Sequence, residues 1–167
     1  MKLYLIPFFA LLSFACAKEQ PKAVPVTITK AADADAEKRA DIIAFAKKYL
    51  GTSYCYASAD PAQGFDCSGF VNFVFKNFGI EVPRSSSGFM NAGTTVKPED
   101  FKVGDILVFS GYRDRNSVGH VGIICEANGM KSKFIHASSG KEMAVIISDL
   151  GSPQYTRRFI KCVSVIN

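Results

Sequence analysis

Hydrophobic positions along this 167-residue chain change their spacing several times, and each change predicts a different element. An apolar run, Leu3 to Leu12, comes first. From Ala17 to about Ala34 the residues turn polar and Ala-rich, with breaks at Pro21 and Pro25, which suits a tether. Val24, Val26 and Ile28 alternate there, but so short a strand beside two prolines would not sit inside a sheet. Helical spacing then sets in. Ile43, Ala46 and Leu50 recur on one face and Lys38, Lys47 and Lys48 lie around the rest of the wheel, so a helix is predicted from about 36 to 50. Asp33 or Asp35 would cap its start, Glu37 would lie in its first turn and Gly51 would stop it.

A loop rich in Ser, Ala, Asp and Gly, residues 52–65, leads to a second predicted helix at about 67–78, ended by Gly79. Phe70, Val71, Phe73, Val74, Phe75 and Phe78 cover most of its circumference, which marks it as the buried, central helix. After Pro83 the pattern shortens. Ile106–Phe109, Val118–Cys125, Lys133–Ala137, Val145–Ser148 and Arg157–Val165 are β-rich runs separated by Gly, Asn, Asp and Ser. Helices followed by a meander of strands predict an α+β fold, with the N-terminal helices packed on a mainly antiparallel sheet.

The first apolar run follows Lys2 and is too short to span a bilayer. A basic start, an apolar stretch and a small residue before a cleavage point describe a secretory signal. The ending Leu12-Ser13-Phe14-Ala15-Cys16 resembles a bacterial lipoprotein signal, which implies a signal peptide over 1–15, lipidation of Cys16 and a tether over 16–35. Residues 36–167 are then the working domain. An acylated Cys16 would hold the protein to a membrane surface in the cell envelope without any spanning element, at an outer membrane or in the periplasm if the source is Gram-negative. The formal charge of +5 is a mild excess. With no block of Lys and Arg and no aromatic residues interleaved with basic ones, the chain does not read as a nucleic-acid binder.

Chemistry is constrained by scarcity. The chain has only two histidines, so imidazole chemistry must use His120, His136 or both. Its five cysteines cannot all pair within one molecule. Asp66 is a natural N-cap, which puts Cys67 at the first position of the buried helix, where the positive helix end favours a thiolate. An inert, buried cysteine is the plainer reading of that residue alone. His120, between Gly119 and Val121-Gly122, and His136, in Phe134-Ile135-His136, would each read as structural if they stood apart. A three-residue loop, Ala127-Asn128-Gly129 with Gly129 left-handed, would place the two directly opposite each other on one sheet face. A two-residue Asn-Gly turn would put them on opposite faces instead. Two histidines without paired carboxylates or a CxxC are too few for a zinc site, and no metal or other cofactor is expected. Cys55, Cys125 and Cys162 read as small apolar residues.

Five ordered motifs then resemble one family. Gly64-Phe65-Asp66-Cys67-Ser68-Gly69-Phe70-Val71, Val82-Pro83-Arg84-Ser85-Ser86, Val103-Gly104-Asp105-Ile106-Leu107-Val108-Phe109, Gly119-His120-Val121-Gly122-Ile123 and Phe134-Ile135-His136-Ala137-Ser138 are similar to the NlpC-type cysteine peptidases, from about Ala40 to Arg158. The resemblance implies a papain-like α+β fold and cleavage of peptide bonds in the stem peptides of bacterial peptidoglycan. It implies Cys67 as nucleophile, His120 as general base and His136 as the residue that orients it. It also implies Tyr54 near the reacting centre, with Asp66 and Ser68 flanking the nucleophile and able to touch substrate. Arg84, Arg113 and Arg115 are candidate partners for the free carboxylates of stem peptides. The implied partners are peptidoglycan and, through the lipid, a membrane; a monomer is expected. The chain departs from the family pattern at Ala57-Ser58, at Phe89, where a glutamine is usual, and over Ser110–Val118. Two other classes of function fit the same residues. One is a papain-like amidase or acyltransferase on a different amide, and the other is a lipoprotein that binds peptidoglycan without cutting it.

Overall fold

The computed structural model describes residues 26–166, with side chains from residue 32. The signal peptide, Cys16 and the first part of the tether lie outside the described residues. Helix α1 spans Val26–Lys47, so it begins about ten residues before the predicted start. Asp33, Asp35 and Glu37 therefore sit within the helix and cap nothing. Its inward face carries Ile42, Ile43 and Ala46, while Leu50 lies past the helix end, 45% exposed. Arg39 explains why the polar face of α1 stays docked. Its guanidinium donates to Asp35, to Asp105 at 2.9 Å, to the Val103 carbonyl and to Ser164, which ties the helix to the chain segments entering and leaving the sheet.

A two-stranded ribbon, β1 (Ala59–Asp60) and β2 (Gly64–Phe65), precedes helix α2 (Cys67–Lys76). The remaining elements are β3 (Thr94–Val96), β4 (Ile106–Ser110), β5 (Val118–Glu126), β6 (Lys133–Ala137), β7 (Val145–Asp149), the short helix α3 (Pro153–Thr156) and β8 (Phe159–Ser164). They build an antiparallel sheet in the order β3-β8-β4-β5-β6-β7. The α+β layout and the five predicted strands hold; β3 and the small ribbon are additions, because runs of two or three residues leave no periodic signal.

Both faces of the sheet are covered. Val121, Ile123 and Ile135 point at α2, against Phe70, Val71, Val74 and Phe75. The alternate positions, Leu107, Phe109, Ile124 and Phe134, pack with Phe101, Leu150 and Tyr155 on the other side. Phe89, the departure from the family pattern, is fully buried in the first of these layers.

The β5–β6 register differs from the expected one by two residues. Ile123 pairs with Ile135 and Ile124 with Phe134, and a bulge follows before Glu126 meets Lys133. Gly129 is left-handed as expected, at φ 52°. The turn is longer, however, because Ser132 Oγ accepts the Asn128 N–H and donates to the Gly129 carbonyl. A Cβ on Gly122 would fall 3.0 Å from that of His136, so His136 lies beside Gly122 and diagonal to His120. A slip of two residues preserves the face on which each side chain stands, and the histidines stay together.

Candidate active site

Helix α2 starts at the position its N-cap residue predicts. Asp66 Oδ1 accepts the Gly69 N–H at 2.6 Å, the N-cap bond, and also the Ser68 hydroxyl and one Arg84 nitrogen. Asp66 Oδ2 takes the other Arg84 nitrogen at 2.8 Å. This two-pronged pair fixes the first turn of the helix and leaves Cys67 half-buried at its tip. Tyr54, Asp66, Cys67, Ser68 and Arg84 all line one recess of about 440 Å³, so five of the predicted site residues come together there. Asp66 and Ser68 spend their polar atoms within the protein, which favours the capping role over direct substrate contact.

Burial pushes the Cys67 thiol up, and the Asp66 carboxylate adds to this. The backbone N–H groups of Val121, Ser68 and Cys67 itself pull the other way and do not prevail. Loss of water thus outweighs the helix N–H groups, and the free site holds Cys67 toward the thiol, so the pull of the helix end toward a thiolate needs the help of a base. Burial likewise comes first in raising Tyr54, with the Cys67 and Asp66 charges behind it.

The two histidines stand on the face of the sheet away from α2. His120 Nε2 lies 2.8 Å from His136 Nδ1, and His136 Nε2 lies 3.0 Å from Ser148 Oγ and 3.3 Å from the Tyr155 hydroxyl. Phe134 stacks on the His136 ring at 4.7 Å, and Phe109 tilts against His120. Burial first, then His136, then Arg158, holds His120 well below the usual imidazole range. Burial and then Arg158 push His136 down to about 3. Both rings are thus neutral, and one hydrogen bridges the pair, with a direction set by the tautomer. In the tautomer with the hydrogen on His120 Nε2, His136 accepts at Nδ1 and its own Nε2–H donates to Ser148 or Tyr155. His120 Nδ1, which has no partner among the described residues, is then the unprotonated nitrogen.

Gly119 is the hinge between thiol and imidazoles. It lines the Cys67 recess and also a second recess, bordered by His120. The register of β4 with β5 jumps from His120 to Val118, so Gly119 bulges out of the ladder. A Cβ there would sit 2.4 Å from Gly111 Cα, which only glycine avoids. No hydrogen bond joins Cys67 to His120 among the described residues. The Val121 N–H, one position along from His120, acts on the Cys67 sulfur.

Ser148, Tyr155 and Arg158 join the site without any signal in the sequence. Tyr155 and Arg158 come from α3 and the turn before β8, a segment without local pattern, and Ser148 is a small polar residue on an alternating strand. Arg113 lines the His120 recess, but Arg115 lies in a neighbouring one. The four described cysteines are all free; Cys125 and Cys162 are buried, but Cys55 is half-exposed and packs less than expected. Among the described residues no three His, Cys, Asp or Glu side chains gather as a metal site requires, and no helix is long and apolar enough to cross a membrane.

Comparison with known proteins adds a lineage to this geometry. The profile of the NlpC/P60 family matches residues 51–164. A γ-D-glutamyl-L-lysine dipeptidyl-peptidase of Bacillus cereus is 34% identical over 119 residues, covering 71% of this chain and 34% of that enzyme. The murein DD-endopeptidase/murein LD-carboxypeptidase of Escherichia coli K12 is 34% identical over 106 residues, 63% of this chain and 52% of that one. Among solved structures, a protein of Staphylococcus aureus described as similar to lipoprotein, NLP/P60 family, superposes with a TM-score of 0.68 at 30% identity, over 78% of this chain and 42% of that chain. The chain thus spans about a third to a half of the length of these relatives.

Proposed function

Since the chain belongs to the NlpC/P60 family, we propose that it is a cysteine peptidase hydrolysing amide bonds in peptidoglycan stem peptides, with Cys67 as nucleophile, His120 as general base and His136 as the residue that orients it. The observation that carries the reading is the buried histidine pair, with His120 Nε2 at 2.8 Å from His136 Nδ1. In the tautomer where neutral His136 accepts from His120 Nε2–H, His120 Nδ1 is left open as a base.

The cycle starts from a thiol and a neutral imidazole. As the sulfur attacks the amide carbonyl, its proton passes to His120 Nδ1, and the new imidazolium is stabilised through Nε2–H by His136. The tetrahedral oxyanion takes the Cys67 backbone N–H at the helix start, with Tyr54 lining the same recess as a second candidate donor. His120 then protonates the departing amine, leaving a thioester on Cys67. Water, deprotonated by the same Nδ1, cleaves the thioester and releases the acid. His136 plays the part that a carboxylate or amide plays in other triads.

The relatives' names support peptidoglycan peptides as substrate, one naming a γ-D-glutamyl-L-lysine bond and another murein. Because equal identity connects this chain to enzymes that cut different bonds, the proposal stops at the substrate class. The Leu12-to-Cys16 motif supports lipidation at Cys16, with residues 16–35 as tether and 36–167 as the catalytic domain in the cell envelope; a relative described as similar to lipoprotein agrees with that arrangement. Digestion of purified sacculi with wild type and Cys67→Ala, followed by mass spectrometry of soluble products, tests the function. Muropeptide release by wild type alone is expected. Equal release by both would rule out Cys67 as nucleophile, and release by neither would favour a binding protein or a different amide.

A further inference from the structure

The two recesses that share Gly119 carry very different charge. In the Cys67 recess the arginine, Arg84, is already neutralised by Asp66. The His120 recess, about 500 Å³, is lined by Arg113, Lys141 and Arg158 and by no carboxylate. An adjoining recess shares Arg158 with it and adds Arg115 and Arg157, again without an acid. None of these five basic side chains forms an ion pair among the described residues. Of the carboxylates closest in sequence, Asp114 accepts the Asn116 N–H, and Glu142 lines an adjoining recess that shares Lys141 and Tyr155 with this one but neither Arg113 nor Arg158.

Arg158 is the member built into the fold. Its Nε donates to the Ser110 carbonyl at 2.9 Å, the Ser110 N–H donates back to the Arg158 carbonyl at 2.8 Å, and its guanidinium lies 5.7 Å from the centre of the Tyr112 ring. The terminal nitrogens have no partner among the described residues. A half-buried cation held in place without a counter-ion costs desolvation free energy that a ligand carboxylate would offset. The chemistry says which part of a substrate lies there. His120 must protonate the leaving amine, so the amine-side fragment departs over the recess that His120 borders.

We propose that this recess binds a carboxylate carried by the amine-side fragment of the substrate, with Arg158 as its main ligand and Arg113 beside it. The proposal rests on the peptidase reading above and sharpens it. Preferred substrates are those whose leaving fragment is short and ends in, or bears, a free carboxylate close to the scissile nitrogen. Amides whose amine side continues into a long neutral chain should be poor ones.

Two measurements on the full chain test it. First, a stem tetrapeptide with a free C-terminal carboxylate and the same peptide as its carboxamide are compared by kcat/KM. Wild type should favour the carboxylate at least tenfold, the range of a charge-assisted hydrogen-bonded pair. Arg158→Gln should bring the ratio close to one, and Arg158→Lys should restore part of it. A wild-type ratio near one, or a ratio unchanged in Arg158→Gln, overturns the proposal while leaving the peptidase reading intact. Second, the rates of Cys67 alkylation by anionic iodoacetate and neutral iodoacetamide are compared, which needs no turnover. The iodoacetate-to-iodoacetamide ratio should fall several-fold in Arg158→Gln. Cleavage of neither peptide would count against the peptidase reading, and the alkylation ratio would then decide the anion site alone: an unchanged ratio overturns it.

Discussion

His120 and His136 meet through one hydrogen bond, Nε2 to Nδ1 at 2.8 Å, with their rings at 88° to each other. Edge-on geometry of this kind lets one ring donate squarely into the lone pair of the other. His136 in turn is held by Ser148, Tyr155 and a stacked Phe134. Replacing it with alanine should lower kcat about 100-fold or more with little change in KM, since the base loses its orientation and not the substrate. His136→Asn, whose amide oxygen can still accept from Nε2–H, should keep more activity than His136→Ala. Equal loss in both variants, with both folded by circular dichroism, would mean that acceptance at this position is not what matters.

The state of the free thiol gives a second test. Because burial raises Cys67 and lowers His120, the resting pair is neutral, not a thiolate–imidazolium pair. The rate of iodoacetamide alkylation should then climb with pH from neutral into the alkaline range. A rate already flat between pH 5 and 8 would show a preformed thiolate and contradict the account.

Helix capping is legible in the amino-acid sequence because it is local. Asp66, Cys67 and the run of phenylalanines after them carry their own start signal, and helix α2 begins at Cys67. The histidine pairing is legible only in its parity. Periodicity shows which face a residue takes, but the register depends on Ser132 closing a longer turn and on a bulge at Cys125. The start of α1 is hidden because Pro25 and the alternation of Val26 and Ile28 look extended, whereas the helix runs from Val26. Ser148, Tyr155 and Arg158 reach the site only through tertiary packing, as β7 and the C-terminal segment fold against β5 and β6.

Asp66 makes a prediction about stability. Its carboxylate serves the N-cap, Ser68 and Arg84 together. Asp66→Ala should cost about 1–2 kcal/mol in urea-induced unfolding, the range of a lost N-cap. Asp66→Asn keeps an oxygen for the Gly69 N–H and should cost less. An Asp66→Ala variant as stable as wild type would mean that the helix start is held by packing alone.

Acid should destabilise the fold through the same histidines. Their folded values lie below the ordinary 6.5, so the unfolded chain binds more protons as pH falls through that point. Stability is fully present above pH 6.5 and declines below it, by up to about 1.4 kcal/mol per pH unit for each group. For His136 the decline continues toward pH 3. Urea titrations at pH 7.5, 6 and 5 should show this loss, and His136→Asn should show less of it. A pH-independent midpoint over that range would mean the rings charge without cost in the native state.

Direct capture of the intermediate tests the central claim, that Cys67 is acylated by a stem peptide. Wild type mixed with a stem-peptide substrate, quenched in acid within the first turnovers and digested for mass spectrometry, should carry the acyl fragment on the peptide containing Cys67, and His120→Ala should accumulate far less of it. Steady product release with no adduct on Cys67, or release that persists in Cys67→Ala, would contradict the account.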